Sequence, residues 1–318
     1  MERGLRVVAF GGGTGLPVLL RGLRDVVSDL VAVVTVADDG GSSGRLRQEL
    51  GVAPPGDVRN CLVALAGRKR LAEVFDYRFE AGEELRDHAV GNIIIAALAD
   101  MAGGFSEGVE QAARFLRAKG RVYPAAKESL TLVVRYADGT VTRGESIVHR
   151  VGKRVRSIAV EPEGVEAPEA VIEAVDLADV VVLSPGSLFT STIPSLLGAG
   201  VKEALSRFDG PVVYAANVMT QAGETSGFTV SDHAQAISEH VGPVVTDVLT
   251  HAGELSDDLI ARYERENAAP TVVDAEALRG MGVRLREVDL LSDDHSSGVR
   301  HDPSKLAEEV RKLALVRL

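Results

Sequence analysis

The stretch at residues 5–20 reads LRVVAFGGGTGLPVLL, and its reading decides the fold. Residues 5–10 form a short apolar run rich in β-branched side chains, the length and content of a buried parallel strand. The run breaks into Gly11, Gly12, Gly13, Thr14 and Gly15, after which residues 16–23 resume with helical spacing. Pro17 suits the first turn of that helix, where a missing N–H has no helical partner to lose. A strand, a glycine turn and a helix in this order make a phosphate cradle, because backbone N–H groups and the positive helix end both face an anion. The spacing Gly11-x-Gly13-x-Gly15 is neither the G-x-G-x-x-G of dinucleotide enzymes nor a P-loop. It favours a nucleotide or phosphorylated ligand over a plain tight turn, and it counts against a nicotinamide enzyme.

The chain of 318 residues is 45% hydrophobic, enough for a substantial core, but aromatics make up only 4% and Trp is absent, so that core is aliphatic. A net charge of −11 argues against non-specific nucleic-acid binding and against an anionic membrane surface. Cys61 is the only cysteine, which excludes an internal disulfide and a multi-cysteine zinc site. No apolar run approaches the ~20 residues of a membrane span. The N-terminus has no basic region or cleavage site, so the chain reads as mature and cytoplasmic.

Residues 30–37 (LVAVVTVA) read as a second buried strand, ending in Asp38, Asp39, Gly40, Gly41, Ser42, Ser43 and Gly44. In open parallel sheets the C-terminal strand ends line the ligand crevice, so this loop is expected beside the first glycine turn. Its two carboxylates suit ribose hydroxyls or a magnesium ion bridged to phosphate. Asp57 is expected to cap a helix carrying Arg59 and Asn60 in its first turn, with Arg59 facing an anion or Asp38 and Asp39. Cys61 reads as packing. Residues 84–119 read as two helices parted by Gly103 and Gly104, the first opened by Asp87, His88, Gly91 and Asn92, with His88 a cap or surface residue.

Asp138-Gly139, flanked by residues 130–137 and 140–147, signals a hairpin, and residues 154–160 a further strand. The β-rich part, 121–160, reads as an insertion in one α/β domain spanning 1–318. Residues 179–183 form a third buried strand, leading into Ser184, Pro185, Gly186 and Ser187, a second strand-to-helix junction fit for phosphate or sugar hydroxyls. No base marks Ser187 as a nucleophile, and no catalytic residue is assigned. Residues 211–217 and 244–250 are further strands, and Asn217 falls at a C-terminal strand end. Between them a helix is expected to be capped by Ser231, and short strands follow at 271–273 and 283–288. Asp302-Pro303 opens the last helix, and Arg300 before it suits a diphosphate or a surface pair with Asp293 or Asp294. The expected class is therefore α/β, a Rossmann-like, doubly wound, mostly parallel sheet with an inserted β-hairpin-rich subdomain.

The stretches GGGTGLPVLLRGL, VTVADDGGSSGRLR, PPGDVRN, HAVGN, SPGSLFTS, NVMTQAGETSGFTVSDH and RHD, spread over residues 11–302, resemble the CofD-like superfamily and most closely its YvcK branch, the gluconeogenesis factors. The resemblance implies a cytoplasmic protein needed for cell shape and wall synthesis on gluconeogenic carbon, acting with protein partners and binding UDP-sugars such as UDP-N-acetylglucosamine. A homo-oligomer is compatible with it. The related CofD branch transfers a phospholactyl group from a guanosine diphosphate derivative to a deazaflavin, with magnesium. Carried over by position, Gly12, Gly13, Thr14, Gly15, Gly186 and Ser187 hold phosphates, and Asp38 and Asp39 face ribose or magnesium. Ser42, Arg59, Asn60 and Asn92 join the ligand site, Asn217 faces the sugar, Tyr263 stacks on uracil and Arg300 meets the diphosphate. The chain departs from the branch at Asp87 and Ser184, where glycine is usual.

Overall fold

A computed structural model describes residues 4–294 and 298–315. Among the described residues ten strands form two sheets: β1 (Arg6–Gly11), β2 (Asp29–Val34), β3 (Arg121–Pro124), β4 (Thr131–Tyr136), β5 (Val141–Arg143), β6 (Val155–Glu161), β7 (Val180–Leu183), β8 (Val212–Ala215), β9 (Asp247–His251) and β10 (Arg284–Val288). The larger sheet has the order β10-β9-β8-β7-β1-β2-β3, and each pairing is parallel. The order runs outward from β1 in both directions, which is the doubly wound arrangement expected. The smaller sheet, β5-β4-β6, is antiparallel.

Burial follows the pleat. Val7 and Ala9 face a core shared with Leu16, Leu20, Leu62, Leu116 and Leu306, whereas Val8 and Phe10 face one shared with Val171, Leu205 and Ile237. Helices therefore cover both faces, as a parallel sheet of continuous apolar strands requires. The small sheet gives Leu132, Val134 and Ile158 to the second core, so it is packed on the main body. No described helix is long and apolar enough to cross a membrane.

Several boundaries differ from those read in the sequence. The second strand stops at Val34, because β1 ends at Gly11 and Val36 turns its carbonyl to the amide of Leu130. Residues 121–124 belong to the large sheet, pairing in parallel with β2, and not to the small antiparallel sheet that follows them. The hairpin forms as expected, with Gly139 at φ +84° and the Thr140 amide donating to Asp138 Oδ1 at 3.0 Å. The helix expected from residue 84 starts at Val90, since Asp87 sits at φ +66° and breaks any helix there. A positive φ of this size is one that glycine adopts without a Cβ penalty and that Asp tolerates better than most residues. Helix Val230–Val241 is capped by Thr229, in a reciprocal box with Asp232, and not by Ser231. Residues 271–273 make a single bridge, Val272 to Thr229, with Val272 exposed to solvent.

Candidate functional site

The strand order changes direction between β1 and β7, whose register pairs Val7 with Val180 and Phe10 with Leu183. Both glycine junctions leave the sheet there, and they touch: a Cβ on Gly15 would lie 1.7 Å from the Pro185 carbonyl oxygen. Only glycine permits that approach. The result is a cleft of about 310 Å³ at the topological switch point. Thr14, Gly15 and Val18 line it from the first junction and Pro185 and Gly186 from the second. Residues 217–221 line it after β8, together with Tyr263 and residues 299–301.

Of the residues expected to bind ligand, Thr14, Gly15, Gly186, Asn217, Tyr263 and Arg300 meet in this cleft. Arg300 is exposed, and its guanidinium makes no ion pair with Asp293, Asp294 or any other described residue. Helix Gly15–Leu23 has no side-chain cap, so its positive end remains open beside the exposed Thr14.

The donors are fewer than the glycine pattern promised. Gly13 N–H donates to Asp57 Oδ2 at 2.7 Å, so Asp57 is no helix cap; it lies in the first turn of helix Gly56–Leu65 and reaches across to the glycine loop. Gly186 N–H donates to Asn217 Oδ1 at 2.9 Å, and Asn217 Nδ2 returns a bond to the Gly186 carbonyl at 2.6 Å. Ser187 Oγ donates to the Glu224 carboxylate at 2.6 and 2.7 Å, and the Phe189 amide reaches the same carboxylate at 2.6 Å. Ser187 and the amides of Gly13 and Gly186 are thus committed within the protein, and Asn217 and Glu224 fix the second turn.

Sequence reasoning also missed His301 as a lining residue. Burial, with His251 nearby, pushes its imidazole down to about 4, so it is neutral at pH 7. Its Nε2 has no hydrogen-bond partner among the described residues. The only signal was its place in the RHD stretch.

Asp38 and Asp39 stand outside the cleft lining, in a group with Glu145 whose ligand atoms lie within 4.8 Å of one another. The small sheet delivers Glu145. Gly144, at φ +101°, makes room, because a Cβ there would fall 2.1 Å from Asp39 Oδ2. Asp39 Oδ1 accepts the Ser146 amide at 2.8 Å, and Asp38 Oδ1 the Gly40 amide at 2.8 Å. Burial, then the charges of Asp38 and Asp57, lift the Glu145 carboxyl to about 9. Burial likewise lifts Asp57 to about 6, against the pull of its bond from Gly13. An oxygen-only donor set whose charges repel suits a hard divalent cation such as magnesium. Asp38, Asp39 and Glu145 would hold it, and the ion would neutralise charge on a nearby phosphate.

Ser42, Arg59, Asn60 and Asn92 form a third group, at the start of helices Gly41–Leu50, Gly56–Leu65 and Val90–Ala102. Ser42 Oγ bonds His88 Nδ1 at 3.0 Å and accepts from Asn92 Nδ2 at 3.0 Å, so His88 is a buried structural partner and not a surface residue. Arg59 is 3% exposed, and among the described residues its ion-pair partner is Asp76 and not Asp38 or Asp39. Its Nη2 donates to Asn60 Oδ1 at 2.5 Å, and Nη1 stands 3.7 Å from Asp76, with Nε and Nη1 lacking hydrogen bonds among the described residues. Gly91 allows this packing, since a Cβ there would be 2.9 Å from Arg59 Cγ. Cys61 is buried and free, its thiol pushed well up by burial, in keeping with a packing role.

The family model described as 2-phospho-L-lactate transferase CofD matches residues 7–291. The chain is 44% identical over 307 residues to the gluconeogenesis factor of Halalkalibacterium halodurans, covering 96% of this chain and 95% of that one. It is 40% identical over 304 residues to the gluconeogenesis factor of Bacillus subtilis, covering 95% and 96%. The crystal structure of a UPF0052-family protein from Bacillus halodurans superposes with a TM-score of 0.94 at 42% identity, over 98% of this chain and 100% of that chain. The two junctions at the switch point are thus the frame of a known architecture, and the chain belongs to the CofD family, among its gluconeogenesis factors.

Proposed function

We propose that this chain is a cytoplasmic UDP-sugar-binding regulator. It senses a wall precursor such as UDP-N-acetylglucosamine and acts through protein partners on cell shape and wall synthesis during gluconeogenic growth. The observation that carries this reading is the cleft where the two junctions meet. It brings the uncapped end of helix Gly15–Leu23 and Arg300, which has no ion pair among the described residues, into one lining with Asn217 and Tyr263. An anion gains from the helix end and from charge-assisted bonds to Arg, each worth roughly 1.5–3 kcal/mol. Asn217, already fixed by Gly186, offers a rigid edge for sugar hydroxyls, and Tyr263 a ring for the base. Calorimetry with UDP-N-acetylglucosamine is expected to give at least micromolar affinity, about −8 kcal/mol. Absence of heat at millimolar ligand refutes the reading.

A second reading is a magnesium-dependent transferase of the phospholactyl type with a guanosine diphosphate donor. The grouping of Asp38, Asp39 and Glu145 beside the glycine loop favours it, as does the CofD family match. Purified protein incubated with magnesium, lactyl-diphosphoguanosine and deazaflavin forms the phospholactyl product under this reading, and a lack of turnover rejects it.

A further inference from the structure

Tyr263 lines the cleft, yet what its hydroxyl holds is main chain: Oη accepts the Val299 amide at 2.8 Å. Gly298 permits the approach. Its φ is +99°, and a Cβ on it would lie 2.8 Å from Tyr263 Oη. The same stretch is tied on its other side, where the Ser292 amide donates to the Arg300 carbonyl at 3.0 Å and Leu291 bridges His301. Arg300, a residue of the cleft lining, is therefore carried by a backbone clamped from two directions, while its guanidinium has no ion pair among the described residues.

We propose that Tyr263 is a positioning residue for Arg300: its hydroxyl pins residues 298–300 and so aims the guanidinium at the diphosphate of a bound nucleotide sugar. This rests on the nucleotide-sugar reading above. The physical gain is preorganisation. Arg loses much rotamer freedom when it engages an anion, and a fixed Cα removes the backbone part of that cost. The pin is separable from stacking, because Tyr263→Phe keeps the ring and removes only the acceptor of the Val299 amide.

Calorimetry with UDP-N-acetylglucosamine on wild type, Tyr263→Phe, Arg300→Ala and the double variant decides between the two roles. Loss of one such hydrogen bond predicts binding about fivefold weaker for Tyr263→Phe. Arg300→Ala is weaker still, and the double variant binds no worse than Arg300→Ala, since the pin acts only through Arg300. Wild-type affinity in Tyr263→Phe, or a double variant weakened by the product of both effects, overturns the proposal. A ligand-free measurement separates its failure from that of the underlying reading. In Tyr263→Phe, amide exchange at residues 298–301 and tryptic cleavage after Arg300 are expected to speed up, with the rest of the chain unchanged. Unchanged exchange overturns the pin whatever binds in the cleft. A wild type that ignores the nucleotide sugar overturns the binding reading, and with it the role given to Arg300.

Discussion

Replacing Glu145 by Gln probes the carboxylate group where its electrostatics are most exposed to measurement. The side chain titrates near 4.5 when free and near 9 in the fold, raised by burial and then by Asp38 and Asp57. The folded value is the higher one, so its favourable contribution is complete below about pH 4.5 and is lost as pH rises toward 9. At pH 7 folding must return a proton that the unfolded chain has released. Over the interval from 4.5 to 7 this costs roughly 3 kcal/mol at about 1.4 kcal/mol per pH unit. Partial solvent screening reduces it to about 1–2 kcal/mol. Gln carries no charge at any pH, so Glu145→Gln should be more stable than wild type by about that amount at pH 7.5 and level with it near pH 4.5. Urea unfolding at several pH values in chelator reads the difference. Magnesium should reverse the order, because a cation at a hundred times its Kd stabilises only the chain that binds it, by about 2.7 kcal/mol. A metal-free Glu145→Gln protein less stable than wild type at pH 8 would refute the electrostatic account.

Gly15→Ala places a Cβ 1.7 Å from the Pro185 carbonyl oxygen, so the junctions must part; a loss of about 2–4 kcal/mol in urea unfolding is expected, with nucleotide-sugar affinity falling alongside. Asp57→Asn keeps an acceptor for the Gly13 amide but removes a buried charge whose pKa stands at about 6. Wild-type stability should decline from about pH 4 through pH 6 on this account, and the variant's profile should be flatter there, as pH-dependent denaturation will record. Arg59→Met replaces a buried guanidinium lacking bonds at Nε and Nη1. The melting temperature should hold or rise, because an incompletely paired buried charge is a net cost; a fall of several degrees would mean that Asn60 and Asp76 satisfy it fully.

The sheet and its switch point were legible because their signals are local. Residues 7–10 and 180–183 are unbroken apolar runs that lead into small residues, and such runs leave little choice but buried parallel strands followed by tight turns. Strand ends were less legible, since Thr35–Ala37 is as apolar as the strand before it and leaves the sheet only because β1 has ended. The donors were least legible. A glycine turn announces free N–H groups, but whether they stay free depends on side chains far along the chain. Asp57 lies 44 residues from Gly13, Asn217 31 from Gly186 and Glu224 35 from Phe189. Glu145 was invisible for the same reason, as it arrives beside Asp39 from a separate sheet, with Ser146 bonded to a residue 107 positions away.

That committed amide at Gly13 also joins the two halves of the site. The glycine loop borders the cleft through Thr14 and Gly15, and its Gly12–Gly13 turn rests on Asp57, where a Cβ on Gly12 would come within 2.6 Å of Asp57 Oδ2. Asp57 in turn feels Asp38 and raises Glu145. Any change of charge among those carboxylates therefore alters the acceptor that holds the first junction in place. A cation on Asp38, Asp39 and Glu145 favours the ionised form of Asp57 and strengthens its grip on Gly13. A proton taken up by Asp57 weakens the same bond. The glycine-loop end of the cleft and the carboxylate group are thus coupled through one carboxylate and one amide. Under either functional reading, nucleotide affinity and divalent-cation affinity should rise together, by the same factor in both directions.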